Sequence, residues 1–201
     1  MKSNRSTWIA FILLIVVAAF SRVMTYSVAG FAPQMAMAIF GGAVINDKKW
    51  AFALPLLSLL LSDLLLQVLF TAGISERAGF YSGQWAVYLC FAVLTVYGFL
   101  MKKVNVKNVL IFSVSGSVLF FIMSNFFVWL GGGGLNRPQT FEGLILCYGD
   151  ALAYYRDYGL IKGFIGNSVL GELIWSIGLF GGFYLINKLS FSSSAETAKQ
   201  Q

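Results

Sequence analysis

The run LPLLSLLLSDLLLQVLF, from Leu54 to Phe70, is apolar on every side of a helix and carries one charge, Asp63. A helix hydrophobic all round belongs to a large protein core or to a bilayer. Extended back to Trp50, the segment reaches the roughly 20 residues that cross a membrane. A carboxylate at that depth costs about 2.5–3.5 kcal/mol on insertion scales, so Asp63 must face a partner, a cavity or a ligand.

The rest of the chain supports the bilayer as solvent. Hydrophobic residues make up 58% and charged residues 11% of the 201 residues, and mean hydropathy is +0.78. Apolar segments run from Trp8 to about Thr25, Gln34 to Ile45, Trp50 to Phe70, Gly83 to Met101, Val109 to Leu130 and Phe164 to Lys188. The expected fold is all-α, a polytopic membrane bundle of about six transmembrane helices occupying residues 1–188. The second segment is too short to cross alone unless it tilts or is completed by the irregular backbone before it. Residues 189–201, rich in Ser, Ala, Lys and Gln, read as a disordered cytoplasmic tail. Lys2, Arg5, Ala18 and Ala19 also mimic a signal peptide, but five further apolar segments and Arg22 favour an uncleaved first span.

The chain has no histidine, and its cysteines, Cys90 and Cys147, suit two free, small hydrophobic side chains; a disulfide would need the Cys147 segment to fold onto the bundle. Neither a metal site nor a Ser-His-Asp triad is expected, and no cofactor or enzymatic activity. With the amino terminus inside, Lys2, Arg5, Lys48, Lys49, Lys102, Lys103, Lys107, Lys188 and Lys199 fall on the cytoplasmic side, against Arg22, Arg77, Arg137, Arg156 and Lys162 outside. The bias predicts both termini inside. The net charge of +6 then reflects topology and anionic lipid rather than nucleic acid.

At about 1.5 Å per helical residue, Asp63, Asn125, Arg22 and Glu172 all fall roughly 18–24 Å from the inner surface. One reading of this layer is a buried Arg22–carboxylate pair with Asn125 bonded across helices. The other is a solute pocket open to the outside; one arginine cannot neutralise two carboxylates, so one is protonated or a cationic group completes the charge. Trp129 shares a face with Phe121 and Asn125, which suits stacking on a flat heterocycle and equally an interfacial belt.

The long connection between the fifth and sixth spans begins with a glycine hinge, Gly131 to Gly134, and Pro138 with Thr140 marks a helix start. Phe141, Leu144, Ile145, Tyr148, Ala151 or Leu152, and Tyr155 follow at helical spacing, predicting a short interfacial amphipathic helix. It is either an anchor at the outer surface or a lid closing on a solute through Tyr148 and Tyr154 or Tyr155. In the second segment Ala36, Ala38 and Gly42 form a small-residue face, suited to packing within the bundle or to docking a partner membrane protein.

The phrases GFAPQMAMAIFGGAVI, PLLSLLLSDLLLQ, SNFFVWL and TFEGLILCYGDALAYY, from about residue 20 to 185, resemble an uncharacterised family of small bacterial multi-span membrane proteins. The chain departs from that pattern in having Gly30-Phe31-Ala32-Pro33 for Asn-Phe-Ser-Pro, Ala153-Tyr154-Tyr155 for a Pro-Phe-Phe-like end of the surface helix, and Glu172 for an aspartate. That family is similar, remotely, to the substrate-binding S components of energy-coupling factor transporters. The resemblance implies uptake of a small polar, vitamin-like or cationic solute across the bacterial cytoplasmic (inner) membrane. It further implies Asp63, Asn125, Trp129 and Glu172 around the solute, to which the polar layer adds Arg22 and the surface helix Tyr148, and Ala36, Ala38 and Gly42 against a transmembrane coupling protein that works with ATPases. The chain has no phosphate-binding GxxxxGK[ST] loop, so energy would come from a partner or an ion gradient. The alternative expectation is a non-transporting structural or assembly subunit of a larger membrane complex.

Overall fold

The computed structural model describes residues 5–25, 27–132 and 134–199. Lys2, Gly133 of the expected hinge and residues 200–201 of the expected tail lie outside the described residues. The chain is all-helical, with α1 (Arg5–Met24), α2 (Gln34–Val44), α3 (Lys48–Thr71), α4 (Gln84–Gly98), α5 (Val106–Leu130), α6 (Phe141–Tyr158) and α7 (Asn167–Lys199). Every expected segment is a helix, and the backbone of α7 stays helical past Lys188, where the apolar pattern ends. Three stretches, Lys48–Thr71, Val106–Leu130 and Asn167–Ile186, are long and apolar enough to cross a membrane. Trp8–Met24, Gln34–Val44 and Gln84–Gly98 are shorter apolar helices.

Local chemistry sets the boundaries. Asp47 caps α3 by accepting from the Lys49 N–H at 3.0 Å, and Asn105 caps α5 through the Asn108 N–H at 2.8 Å. Thr140 caps α6 through the Gly143 N–H at 3.1 Å, as the Pro138–Thr140 signal predicts. Pro55 is tolerated inside α3 in its second turn.

Ring and side-chain pairs fix the helix directions. Trp8 meets Trp50 at 4.3 Å while Arg22 meets Asp63, so α1 and α3 run parallel. Gln84 meets Asp63 while Phe99 meets Phe52, so α4 runs against α3. Phe112 meets Tyr97 and Phe127 meets Trp85, so α5 reverses again. Ser113 with Ser176 and Ser117 with Ser168 turn α7 against α5. With α6 set aside, the helices alternate up and down. Lys48, Lys49, Lys102, Lys103 and Lys107 therefore share one end of the bundle, and Arg22, Arg77, Arg137 and Arg156 the other.

The short α2 occupies the centre. Gln34 through Gly42 are all buried, and the helix touches α3, α4, α5 and α7. Its length is compatible with this position because neighbours cover it along its whole course. Small residues permit the approach: a Cβ on Gly42 would collide with the Thr95 carbonyl and the Gly98 backbone. A Cβ on Gly41 would come within 2.8 Å of the Ala51 carbonyl oxygen. Ala36 and Ala38 are 0% exposed. Of the two uses expected for this face, the structure shows packing within the bundle; Ala36, Ala38 and Gly42 present no surface to a partner. Met37, Ile39 and Leu54 build the core on one side of α2, and Met35, Ala38, Leu59 and Leu94 on the other.

The helix α6 lies along the carboxy-terminal half of α5. Gly143 and Cys147 face inward, while Phe141 and Ile145 of the expected stripe are exposed. Cys90 and Cys147 are both free and buried. The end of α6 is held by Asn167, 0% exposed, whose Nδ2 donates to the carbonyls of Tyr155 and Ile161 at 2.8 and 2.9 Å and to that of Phe164. Its Oδ1 accepts from the Ile161 N–H at 2.8 Å.

The substitution Gly42→Leu should separate α2 from α4 and destabilise the fold by at least the roughly 1–3 kcal/mol of an overpacked core. Thermal unfolding in detergent should show a clear fall in Tm, whereas Gly178→Ala, where a Cβ meets nothing within 4 Å, should leave it equal or higher.

Candidate functional site: a buried ion pair beside a cavity

The buried side of α3 presents Ser58, Ser62, Asp63 and Leu66 to α1, α2 and α4. Asp63 is 1% exposed. Its Oδ1 accepts from Arg22 Nη1, in the last turn of α1, at 2.5 Å. Its Oδ2 accepts from Gln84 Nε2 at 2.5 Å and from the Tyr88 hydroxyl at 2.6 Å, both from the start of α4. Gln84 and Tyr88 stand one turn apart, hence on one helix face. Arg22 Nη1 also donates to Ser62 Oγ at 2.6 Å. Each carboxylate oxygen thus has a donor, which is the condition for holding such a charge away from water.

The loop 72–83 is bound into the same network. Gln67 Oε1 accepts from the N–H groups of Gly79 and Phe80 at 3.1 and 3.3 Å, and Gln84 Nε2 donates to the Gly79 carbonyl at 3.0 Å. Gly79 packs so closely on Asp63 and Gln67 that any Cβ would overlap the α3 backbone. Arg77 and Tyr81 are thereby brought beside Arg22.

A cavity of ≈ 320 Å³ opens at this end of the bundle, lined by Arg22, Gln34, Arg77, Tyr81, Tyr154 and Tyr155 among its polar groups. Met35, Leu59, Phe91 and Phe120 supply apolar walls. A second space of ≈ 430 Å³, lined by Arg22, Asp63, Leu66, Arg77 and Tyr81, shares four of these residues with it. Burial pushes the Tyr81 phenol above its ordinary value, with Arg22 and Arg77 pulling it back. Gln34, 0% exposed, donates from Nε2 to the Ala18 carbonyl at 3.2 Å, and its Oε1 has no partner among the described residues.

The structure brings together Arg22 and Asp63 and leaves the other expected site residues elsewhere. Glu172, 0% exposed, accepts from Ser176 Oγ at 2.9 Å; Ser176 in turn takes a bond from Ser113 at 2.8 Å. Asn125 donates to Phe121 O of its own helix at 2.8 Å, and its carbonyl receives the Cys147 thiol. Trp129 Nε1 donates to Pro138 O at 2.9 Å, and the Tyr148 hydroxyl to Ile122 O at 3.0 Å, both tying α5 to the segment that follows it. None of these four residues is among those lining the cavity. Depth along a helix places two residues in one layer, but rotation about the axis decides whether they meet. Here the Asn125 side chain turns back onto its own helix, and Glu172 bonds Ser176, which in turn meets Ser113 of α5.

The residues that sequence reasoning passed over are Gln34, Arg77, Tyr81, Gln84 and Tyr88. A signal existed for two of them, since Gln84 and Tyr88 are polar groups one turn apart at the head of an apolar helix.

The fold and site define an all-helical protein, three of whose helices are long and apolar enough to cross a membrane, with an ion pair buried beside a cavity. The chain belongs to a family of unknown function, DUF6580, whose model matches residues 2–195. No curated protein and no solved structure matches it, so no comparison links it to S components.

Removing one partner of a fully buried ion pair costs about 3–5 kcal/mol, and less is expected where one partner keeps some water. Arg22 retains 22% side-chain exposure. Asp63→Asn should therefore lower Tm substantially, and Arg22→Met combined with Asp63→Leu should recover much of the loss. Thermal unfolding of the single and double variants measures this; equal losses in all of them would show that the pair does not act as a unit.

Proposed function

We propose that the protein is a six-span membrane bundle that binds a small organic solute in the cavity at the arginine-bearing end, as the substrate-binding subunit of an uptake system. The observation that carries this reading is the cavity itself, whose volume falls at the lower end of the 300–1,000 Å³ typical of small-molecule sites. Apolar walls with a few polar groups are the usual makeup of such a site.

A bilayer setting accounts for the outer faces of the helices. Ile12 and Val17 on α1, Val68 on α3, Ile122 on α5 and Ile177 on α7 are all exposed. In water these would be unsupported apolar faces, whereas in lipid they are the contact surface. The lysine-bearing end then faces the cytoplasm with both termini, and the cavity faces outward. Energy for uptake would come from a coupling protein with ATPases or from an ion gradient, and any docking would use faces other than the buried one of α2.

A cationic solute is not favoured. Both Asp63 oxygens already have protein donors, and Glu172 lies off the cavity. A second reading, a structural or assembly subunit of a larger membrane complex, draws on the same saturation of Asp63, which suits a fold-locking role.

Native mass spectrometry of the gently solubilised protein separates the two. On the binding reading the protein carries a small molecule, Tyr81→Ala lowers the bound fraction tenfold or more, and Glu172→Gln leaves it unchanged. A protein that carries only a stable partner chain, with no small molecule under any solubilisation, would establish the structural reading instead.

A further inference from the structure

We infer that the solute held in this cavity is an organic anion, a carboxylate or phosphate monoester on a flat apolar body, gripped by Arg77 with Arg22 behind it. The inference rests on the solute-binding reading above and adds the chemical class.

Charge balance is the first argument. Across the two adjoining spaces the charged lining residues are Arg22, Arg77 and Asp63. Asp63 is matched by Arg22 at 2.5 Å. Arg77 has no ion pair among the described residues, so the lining carries one uncompensated positive charge. A cation entering here would meet that charge with nothing to offset it, whereas an anion would neutralise it. The planar guanidinium offers paired donors to the two oxygens of a carboxylate or phosphate. In a recess with reduced water the attraction is stronger than at an open surface.

The second argument comes from Gln34. It lines the cavity with 0% exposure, and its Oε1 lacks a donor among the described residues. A buried acceptor without a donor costs free energy. An N–H or O–H on the solute would satisfy it, so the solute should carry a donor away from its anionic group. The apolar walls of the cavity include Leu59, Phe91 and Phe120, which suit a flat, apolar body.

Arg77 lies in the loop 72–83 with its side chain in no ion pair among the described residues, so Arg77→Gln should leave the unfolding temperature of the unliganded protein close to wild type. The test is native mass spectrometry of wild type, Arg77→Gln and Arg77→Lys, with extraction of the bound compound and assignment of its mass and charge, together with thermal unfolding in millimolar benzoate or benzamide. The expected result is a small anion in wild type, reduced tenfold or more in Arg77→Gln and partly retained in Arg77→Lys. Benzoate but not benzamide should raise Tm in wild type, and Arg77→Gln should abolish that rise. A neutral or cationic compound, or an anion held equally by Arg77→Gln, overturns this inference and leaves the solute-binding reading standing. A phospholipid released by Arg77→Gln would assign the charge to a lipid headgroup and overturns the proposal of a soluble anion. If wild type holds nothing and benzoate does not change Tm, the inference and the reading beneath it fall together.

Discussion

Asp63 is 1% exposed in a run of leucines, a position a carboxylate can hold only if its oxygens find donors to replace water. Three donors come from two helices: Arg22 from the end of α1, and Gln84 and Tyr88 from the start of α4. Satisfying one side chain therefore fixes the rotation and height of α1 and α4 against α3. Gln84 and Gln67 extend the constraint to the loop 72–83, which carries Arg77 and Tyr81 to the cavity. The ion pair thus holds the loop that borders the cavity, and Arg77 of that loop has no ion pair among the described residues.

A different constraint governs the centre of the bundle. The glycines of α2 let its backbone lie against Thr95 and Gly98 of α4 and against Ala51 of α3, closer than any side chain would allow. Between helices in lipid, where apolar contact with neighbours gains little over contact with acyl chains, such close packing is a main source of association. The polar start of α2 is equally important to the proposed function. Gln34 and Met35 stand at its amino-terminal end and line the cavity, so the most buried helix of the fold forms part of the wall of the site.

How much of this was legible in the sequence follows from which physical quantity each feature depends on. Helix positions depend on local pattern, and all seven helices appear where expected, including the Thr140 cap of α6, although the backbone of α7 runs on to Lys199, past the end of the apolar pattern at Lys188. The Arg22–Asp63 pair was legible because a lone charge in an apolar run demands a partner at its own depth. The remainder of the expected layer was not, because depth leaves out helix rotation: the Asn125 side chain is taken up by the Phe121 carbonyl of its own helix, and Glu172 by Ser176, which meets Ser113 of α5. The small-residue face of α2 was ambiguous for a related reason, since packing inward and docking outward require the same residues. Arg77 and Tyr81 were passed over because a short loop between helices gives no periodicity from which to infer what it covers. Their place is set by Gln67 and Gly79, contacts that exist only once α3 and α4 are side by side.

Two separate polar networks join the long helices, and their separation bears on where a site can form. Asp63 with Arg22, Gln84 and Tyr88 joins α1, α3 and α4. Glu172 with Ser176 and Ser113, reinforced by Ser117 donating to the Ser168 carbonyl at 3.1 Å, joins α5 and α7. Between them lies α2, packed through small and apolar side chains. The cavity draws on both sides of this seam: Arg22, Leu59 and Phe91 from the first group of helices, and Phe120 and Ser168 from the second, with Tyr154 and Tyr155 of α6 at its edge. Each group is locked by its own hydrogen bonds, so the cavity walls do not need the solute to hold them in place. Of the groups left unmatched among the described residues, Arg77 and Gln34 line this space, where a solute rather than a neighbouring helix can complete them, whereas Glu172 Oε2 and Trp175 Nε1 lie off it.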